Sequence, residues 1–460
     1  MTADAQRAAP HPPEGSGPEG RGASGPWGPA ALAAAAFVGL CLLLVLTQRA
    51  GPREIPRLGL TWAMFLVFVV GAGAVERLPV RQAVVAALLG GSILQAIAAR
   101  VRPWTTDDYL RYVWDGRVQA AGTSPYRYPP GAPELARLRD PWLFPDGVTP
   151  RLNHPDERTI YPPVAQAWFW FVEILPGDQG QGLALQVTFA LVAILTGAVI
   201  AAQLWTTSGP AARVVWFMWC PAVFLEAGGN AHIDTLAALL LTLFAVALAR
   251  GHTVLAGLLL GLATATKFLP ALGAVGVPPR RSALVGTLAA LTLAVVYLPH
   301  VLVLGSGVTG FLGGYLDEEG ADHFDLLKAV LPDQLAAPVG LVILAASALW
   351  LWRDAGRRAA STPDGRPQPW HQSAAMIVLT LVILTPPYPW YALMVVPMVA
   401  LGAAKIWLII LPAPHLVYAA ASLGHNYFLT RVIGYSAVAL VLAGYAVWAR
   451  RRARAAPAGS

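Results

Sequence analysis

Apolar runs long enough to span a bilayer alternate with short polar breaks along nearly the whole chain. The longest lie near residues 30–47, 59–76, 82–99, 183–205, 232–250, 253–277, 282–304, 336–352 and 432–449. A spanning helix needs about 17 to 25 predominantly apolar residues, and backbone amides in lipid must be satisfied within their own segment, so each run reads as a helix. Shorter or proline-broken candidates fall near 160–175, 212–226, 373–386, 389–402 and 404–420. The pattern predicts an all-α, polytopic membrane helical bundle over 30–449 with about 13 or 14 transmembrane helices. A long polar loop, 101–158, follows the third. Residues 1–29 are Pro, Gly and Ala with scattered charge, a composition that buries too little apolar surface to fold, and are predicted to be a disordered tail. Many spans follow the first apolar run, so it reads as a retained anchor and not as a cleaved signal.

Composition sharpens this picture. The 460 residues are 56% hydrophobic and 12% charged, against roughly a quarter charged in soluble domains, which excludes an ordinary soluble protein. The formal net charge of +7 is not spread as a nucleic-acid footprint. Basic residues gather at Arg280 and Arg281, at Arg353, Arg357 and Arg358, and in the tail 450–460 at Arg450, Arg451, Arg452 and Arg454, the pattern of cytoplasmic loops and a cytoplasmic C-terminus in a plasma (inner) membrane protein. The acidic loop 305–334, with Asp317, Glu318, Glu319, Asp322, Asp325 and Asp333 against Lys328, then falls outside. Counting back with fourteen spans also places loop 101–158 outside, although Arg49, Arg53 and Arg57 run against the same rule. Cys41 and Cys220 both sit in predicted helices, which argues against a disulfide framework and a cysteine-built metal site. No zinc-type His/Glu spacing is present, and no metal or cofactor is expected.

Charge is concentrated in one place. Residues 101–158 hold eight acidic and eight basic side chains, sixteen of the 57 in the chain. Thr105 followed by Asp108 resembles a capping box and predicts a helix from there through Val118, ended by Gly122 and Pro125. Asp108, Arg111, Tyr112 and Asp115 then share a face. An amphipathic surface helix with solvated ion pairs would account for the charges. It does not account for the adjacent Asp107 and Asp108, nor for all of the interleaved Trp104, Tyr109, Tyr112, Trp114, Tyr126 and Tyr128, rings able to stack on sugars or sit at headgroup level. Within the apolar runs, Lys267 is costly and a functional candidate by default, with snorkelling to the nearby surface as the plainer account. Asn230, His232 and Asp234 follow Gly228 and Gly229 and suit either helix capping or substrate binding. Strict counting of spans puts them on the side opposite loop 101–158, unless segment 160–175 or 212–226 does not cross.

The stretch Asp107-Asp-Tyr-Leu-Arg-Tyr-Val-Trp-Asp-Gly-Arg-Val-Gln-Ala-Ala-Gly122, followed by Ser124-Pro-Tyr126, resembles the first extracytoplasmic loop of GT-C glycosyltransferases, in the branch of polyprenol-phosphate-mannose-dependent mannosyltransferases. Ile160-Tyr-Pro-Pro163, the stretch from Trp219 to Asp234, and Pro386-Pro-Tyr-Pro-Trp-Tyr391 extend the resemblance over about residues 80–400. Thr123-Ser124 stands where the family has Asn, and Asn230-Ala-His-Ile-Asp234 is a rearranged form of its His-Asn-Asp pattern.

The resemblance implies transfer of a hexose, with mannose favoured, from a polyprenyl-phosphate donor to a glycolipid or lipoglycan acceptor at the extracytoplasmic face. A departing phosphate is already a stable anion, so one carboxylate acting as general base suffices, unlike the carboxylate pair of glycoside hydrolysis. The family's base matches Asp108, with Asp107 its neighbour. Arg111, Arg117 and Lys267 are candidates for the donor phosphate. Tyr112, Asp115, Tyr126, Asn230, His232, Asp234 and Tyr388 are candidates for substrate contacts. A secondary transporter would place ionisable groups at mid-membrane in two repeated halves, whereas here Glu173, Glu226 and Lys267 are few and no repeat is visible. A non-catalytic envelope-lipid assembly factor would tolerate loss of Asp107 and Asp108.

Overall fold

The computed structural model describes residues 28–50, 55–176, 182–309, 323–362, 365–422 and 424–455. The proposed tail 1–29, the centre of the acidic loop 305–334 and the end of the tail 450–460 lie largely outside the described residues. Helices α1 (Pro29–Arg49), α2 (Ile55–Val75), α3 (Val80–Ala98), α4 (Asp108–Ala120), α5 (Pro163–Glu173) and α6 (Leu183–Thr206) open the fold. The short α7 (Val215–Met218) and α8 (Pro221–Phe224) lead to α9 (Asp234–Ala249), α10 (Thr253–Thr264) and α11 (Pro279–Leu304). After α12 (Asp325–Lys328) come α13 (Asp333–Ser361), α14 (Trp370–Leu384), α15 (Val395–Leu401), α16 (Pro412–Ser422) and α17 (Tyr427–Ala455). The protein is a polytopic helical membrane bundle.

Among the described residues, seven helices are long and apolar enough to cross a membrane, and Ala211–Met218 with Pro221–Gly229 forms an eighth candidate bent by 56°. The remaining apolar segments expected to cross are shorter. Asp234–Ala249, Thr253–Thr264, Trp370–Leu384, Pro389–Leu401 and Lys405–Ala420 are helices of 10–17 residues, and α5 has 11. At 1.5 Å per residue α5 reaches roughly 16 Å, about half a hydrocarbon core. Proline is the recurrent cause of these breaks: Pro221, Pro270, Pro389 and Pro412 each stand at the start of a new helical piece.

Small residues set the packing beneath the site. Trp219 lies in a notch made by Gly90 and Gly71, where a Cβ on Gly90 would stand 2.6 Å from the indole nitrogen, and that nitrogen donates to the Ala86 carbonyl at 3.3 Å. Such close approach is how membrane helices gain contact without a hydrophobic driving force. It seats the bent segment against α3. The segment then widens into a π turn, Leu225–Gly229, held by Gln95, whose Oε1 accepts from the Gly228 amide at 2.9 Å, and by Gln186, whose amide donates to the Gly228 and Gly229 carbonyls at 2.9 Å each. Asn230 N donates to Leu225 O at 2.8 Å, and Ala231 takes φ 59 before α9 starts. The irregular backbone is therefore satisfied inside the protein, the condition under which it is tolerated at membrane depth.

Candidate active site

Helix α4 starts at Asp108, but not by the expected capping box. The Asp108 amide donates to Thr106 Oγ1 at 3.2 Å, and Thr105 Oγ1 is buried without a hydrogen-bond partner. Nor does α4 lie open on a surface: Tyr109 through Gly116 and Val118 are buried. Its contact with α5 is close, for a Cβ on Gly116 would stand 2.5 Å from the Phe169 carbonyl oxygen. Tyr112 stacks on Phe169 at 4.4 Å between centroids and meets Tyr161 edge-on at 5.0 Å. Asp115 accepts from Arg111 Nε at 3.0 Å and from Gln166 Nε2 at 2.8 Å. Tyr126 donates to the Tyr161 carbonyl at 2.8 Å. Tyr112 and Asp115, expected at the substrate, thus tie the loop to α5, and Tyr126 ties it to the segment just before α5; none of them lines the cleft described next.

Asp107 and Asp108 line a cleft of about 160 Å³, together with Arg111, Asn153, Lys267, Tyr388, Trp390 and Tyr418 among others. Asn153 Nδ2 bridges the two carboxylates, 3.2 Å from Asp107 Oδ1 and 3.1 Å from Asp108 Oδ1. Asp108 is the deeper of the two, and burial is the main reason its carboxyl is pushed up to about 6, with the Lys267 ammonium acting in the opposite direction. Tyr388, Trp390 and Tyr418 form an aromatic wall with centroid separations of 5.1 Å and 5.6 Å from Trp390.

Lys267 does not sit inside a continuous span. Helix α10 ends at Thr264, a 3-10 segment starts at Leu269, and the lysine stands at the break. Its Nζ is 3.1 Å from Asp234 Oδ2 and 4.8 Å from the centre of the Tyr391 ring, so it is paired within the cleft and not snorkelling away. Behind Asp108, His232 presents Nδ1 at 3.8 Å from Asp108 Oδ2 and stacks on Trp390 at 3.9 Å. The Asn230 to Asp234 group and the carboxylate loop therefore meet in one site. The strict count that separated them fails because α5 is short and the 211–229 segment is bent.

Arg111 lines the cleft, but its guanidinium also donates to the His154 carbonyl at 3.3 Å and the Glu157 carbonyl at 3.0 Å. Arg117 does not reach the cleft. It is ion-paired with Asp140 and lies 3.8 Å from Glu173, so the structure does not bring it together with the other residues expected at the donor phosphate. Asn153, Trp390, Tyr391 and Tyr418 were not singled out as site residues. Trp390 and Tyr391 belong to the Pro-Trp-Tyr stretch and were within reach of sequence reasoning, whereas nothing in the sequence marks Asn153 or Tyr418.

A second, mostly apolar cavity of about 370 Å³ runs on from the cleft, lined by Phe268, Leu269, Leu272, Leu381, Leu384 and Pro386. Ile160, Tyr161, Lys267 and Tyr391 line both.

No curated protein and no solved structure matches the chain. The family model described as Glycosyltransferase family 87 matches residues 159–363, a stretch that includes the Asn230 to Asp234 group and Lys267 and begins after Asp107 and Asp108. That match supports a membrane glycosyltransferase of the GT-C type.

Proposed function

We propose that this protein transfers a hexose, with mannose favoured, from a polyprenyl-phosphate donor to a glycolipid or lipoglycan acceptor at the extracytoplasmic face of the plasma membrane. The observation that carries the reading is the junction at Lys267, where a polar cleft holding a carboxylate opens into an apolar cavity. An amphiphile with a sugar at one end, an isoprenoid chain at the other and a phosphate between them fits that order of surfaces. The sugar meets the aromatic wall and the phosphate meets Lys267, with Arg111 beside it. The chain enters the cavity lined by Leu272, Leu381 and Leu384.

In this reading Asp108 takes the proton of the acceptor hydroxyl as that oxygen attacks the anomeric carbon from the side opposite the phosphate. The bond between that carbon and the phosphate oxygen breaks, the anomeric configuration inverts, and polyprenyl phosphate departs as an anion stabilised by the Lys267 ammonium. Asp107 stands at the cleft mouth and shares Asn153 with the base.

The test is a transfer assay with purified protein, a panel of polyprenyl-phosphate sugars and the matching nucleotide sugars. Transfer from the lipid-linked sugar is expected, and none from the nucleotide sugar. Leu272→Trp, which fills the apolar cavity, should raise KM for a long-chain donor more than for a short-chain one. Transfer from a nucleotide sugar without a lipid intermediate would refute the donor class.

A further inference from the structure

Lys267, Arg111 and Arg158 line the cleft, and the first two already have their charge matched. Lys267 Nζ sits 3.1 Å from Asp234 Oδ2. Arg111 donates from Nε to the buried Asp115 carboxylate at 3.0 Å, and from its two terminal nitrogens to the His154 and Glu157 carbonyls. Each of its nitrogens therefore holds a partner. Arg158 differs from both. It is exposed, its Nη1 reaches the Gly307 carbonyl at a long 3.5 Å, and among the described residues no carboxylate stands within ion-pair distance of it.

The chain places this arginine close to the junction of cleft and cavity. Residues 158–162 have no regular structure and lead directly into α5. Thr159 is buried and turned towards α5, where its Oγ1 accepts from Gln166 Nε2 at 2.8 Å. Arg158 and Ile160, on either side of it, both line the cleft, and two residues span at most about 7 Å of chain. Ile160 also lines the apolar cavity, with Tyr161 and Lys267, so the junction lies within the reach of an arginine side chain. Arg111 fixes the position from behind, because it holds the Glu157 carbonyl, the peptide group from which Arg158 extends.

The charge of the donor changes during transfer. A polyprenyl-phosphate sugar is a phosphodiester with one negative charge. When the bond between the anomeric carbon and the phosphate oxygen breaks, both electrons stay on that oxygen, and the product is a monoester that carries nearly two charges at neutral pH. Lys267 and Arg111 have no unmatched charge to offer the second. We propose that Arg158 is the catalytic residue that receives it: the guanidinium leaves the Gly307 carbonyl and binds two oxygens of the departing phosphate. The inference rests on the lipid-phosphate donor proposed above. A planar guanidinium fits two phosphate oxygens, and a side chain with a single long contact gives up little by moving. Asp107 and Glu157, which also line the cleft, repel a dianion, and an unmatched cation is what overcomes that repulsion.

The test compares one charge with two. Farnesyl phosphate, a monoester, and its methyl ester, a diester with one charge, are used as inhibitors of equal chain length at about pH 8. The parent should bind the monoester at least about tenfold more tightly, the scale of one charge-assisted hydrogen bond, and Arg158→Gln should bind the two about equally. Turnover of polyprenyl-phosphate mannose with a membrane lipid extract should fall about 100-fold to 1,000-fold in kcat in Arg158→Gln, the loss expected for one donor to a developing oxyanion. Arg158→Lys keeps the charge and should lose less. Arg151→Gln, at an exposed arginine of the same loop outside the cleft lining, controls for overall charge and should keep the preference for the monoester. Arg158→Ala replaces the glutamine variant if that does not fold, and added guanidinium ion should return part of its rate. An Arg158→Gln protein that turns over like the parent overturns the proposal, and so does one that still prefers the monoester. A variant that differs only in needing more lipid extract also overturns it, and assigns the arginine to an anion on the acceptor. If the parent itself makes no use of a lipid-linked sugar, the donor reading fails instead.

Discussion

Asp108→Asn should remove activity and add stability, and the two effects follow from the same burial. The carboxyl is pushed from 3.8 up to about 6 by desolvation, so in the folded protein its charged form is disfavoured. A group raised in this way favours folding while it is protonated, and that contribution is lost as pH climbs from the unfolded value through the folded one. The difference between 3.8 and about 6 corresponds to roughly 3 kcal/mol at pH values above both. Asparagine mimics the protonated acid at every pH. Its thermal stability in detergent should therefore match the parent only below about pH 4, where the carboxyl is protonated in both states, and exceed it by a margin that grows up to about pH 7.5. Turnover should fall roughly 100-fold to 10,000-fold, the range for losing a general base, with donor KM little changed. The parent's own rate should fall about tenfold per pH unit below about pH 6. Parental turnover in the asparagine variant would refute the role, and a stability gap independent of pH would refute the account of why the group is perturbed. In the first case Asp107 inherits the assignment.

Three further outcomes follow from the same geometry. Asn153→Ala removes a donor that holds Asp108 in its charged form, so the acid limb of the pH-rate profile should move to higher pH, and an unmoved limb would count against the bridge. Gly116→Ala drives a methyl group to 2.5 Å from the Phe169 carbonyl oxygen; the α4 and α5 contact should loosen at a cost of about 1–3 kcal/mol, read as a lower Tm, and an unchanged Tm would show that the helices move apart freely. Lys267→Met strands Asp234 as a buried unpaired carboxylate, which costs on the order of 3–5 kcal/mol. Adding Asp234→Asn should restore folding without restoring donor turnover, and full activity in the double variant would remove Lys267 from phosphate binding.

The apolar periodicity was sufficient to give an all-helical membrane bundle, because run length alone decides that class. The carboxylate loop was equally legible: sixteen charged residues in one loop of a lipid-facing chain stand out by composition. Orientation within that loop was not. Tyr112, Asp115, Tyr126 and Arg117 have the chemistry of substrate ligands, yet each makes contacts to residues 23 to 57 positions away in sequence, such as Asp140 for Arg117, Gln166 for Asp115 and Phe169 for Tyr112. No local pattern encodes those partners. Asn153 is invisible for the converse reason, since its contact with the two carboxylates forms only when a distant segment meets them.

Counting spans failed for a reason that bears on the chemistry. Each apolar run was treated as one crossing, but the 211–229 segment bends at Pro221 and unwinds into a π turn, while α10 stops before Pro270. A continuous helix at either place would satisfy its own backbone and point side chains only sideways into the bundle. The breaks instead deliver His232 and Asp234 from one segment, and Lys267 from the other, to the end of α4 where Asp108 waits. The stability lost by interrupting two helices at membrane depth is offset by Gln95 and Gln186 on the freed carbonyls and amide of the π turn. The helix breaks that defeat a topology count are thus the same features that assemble the site.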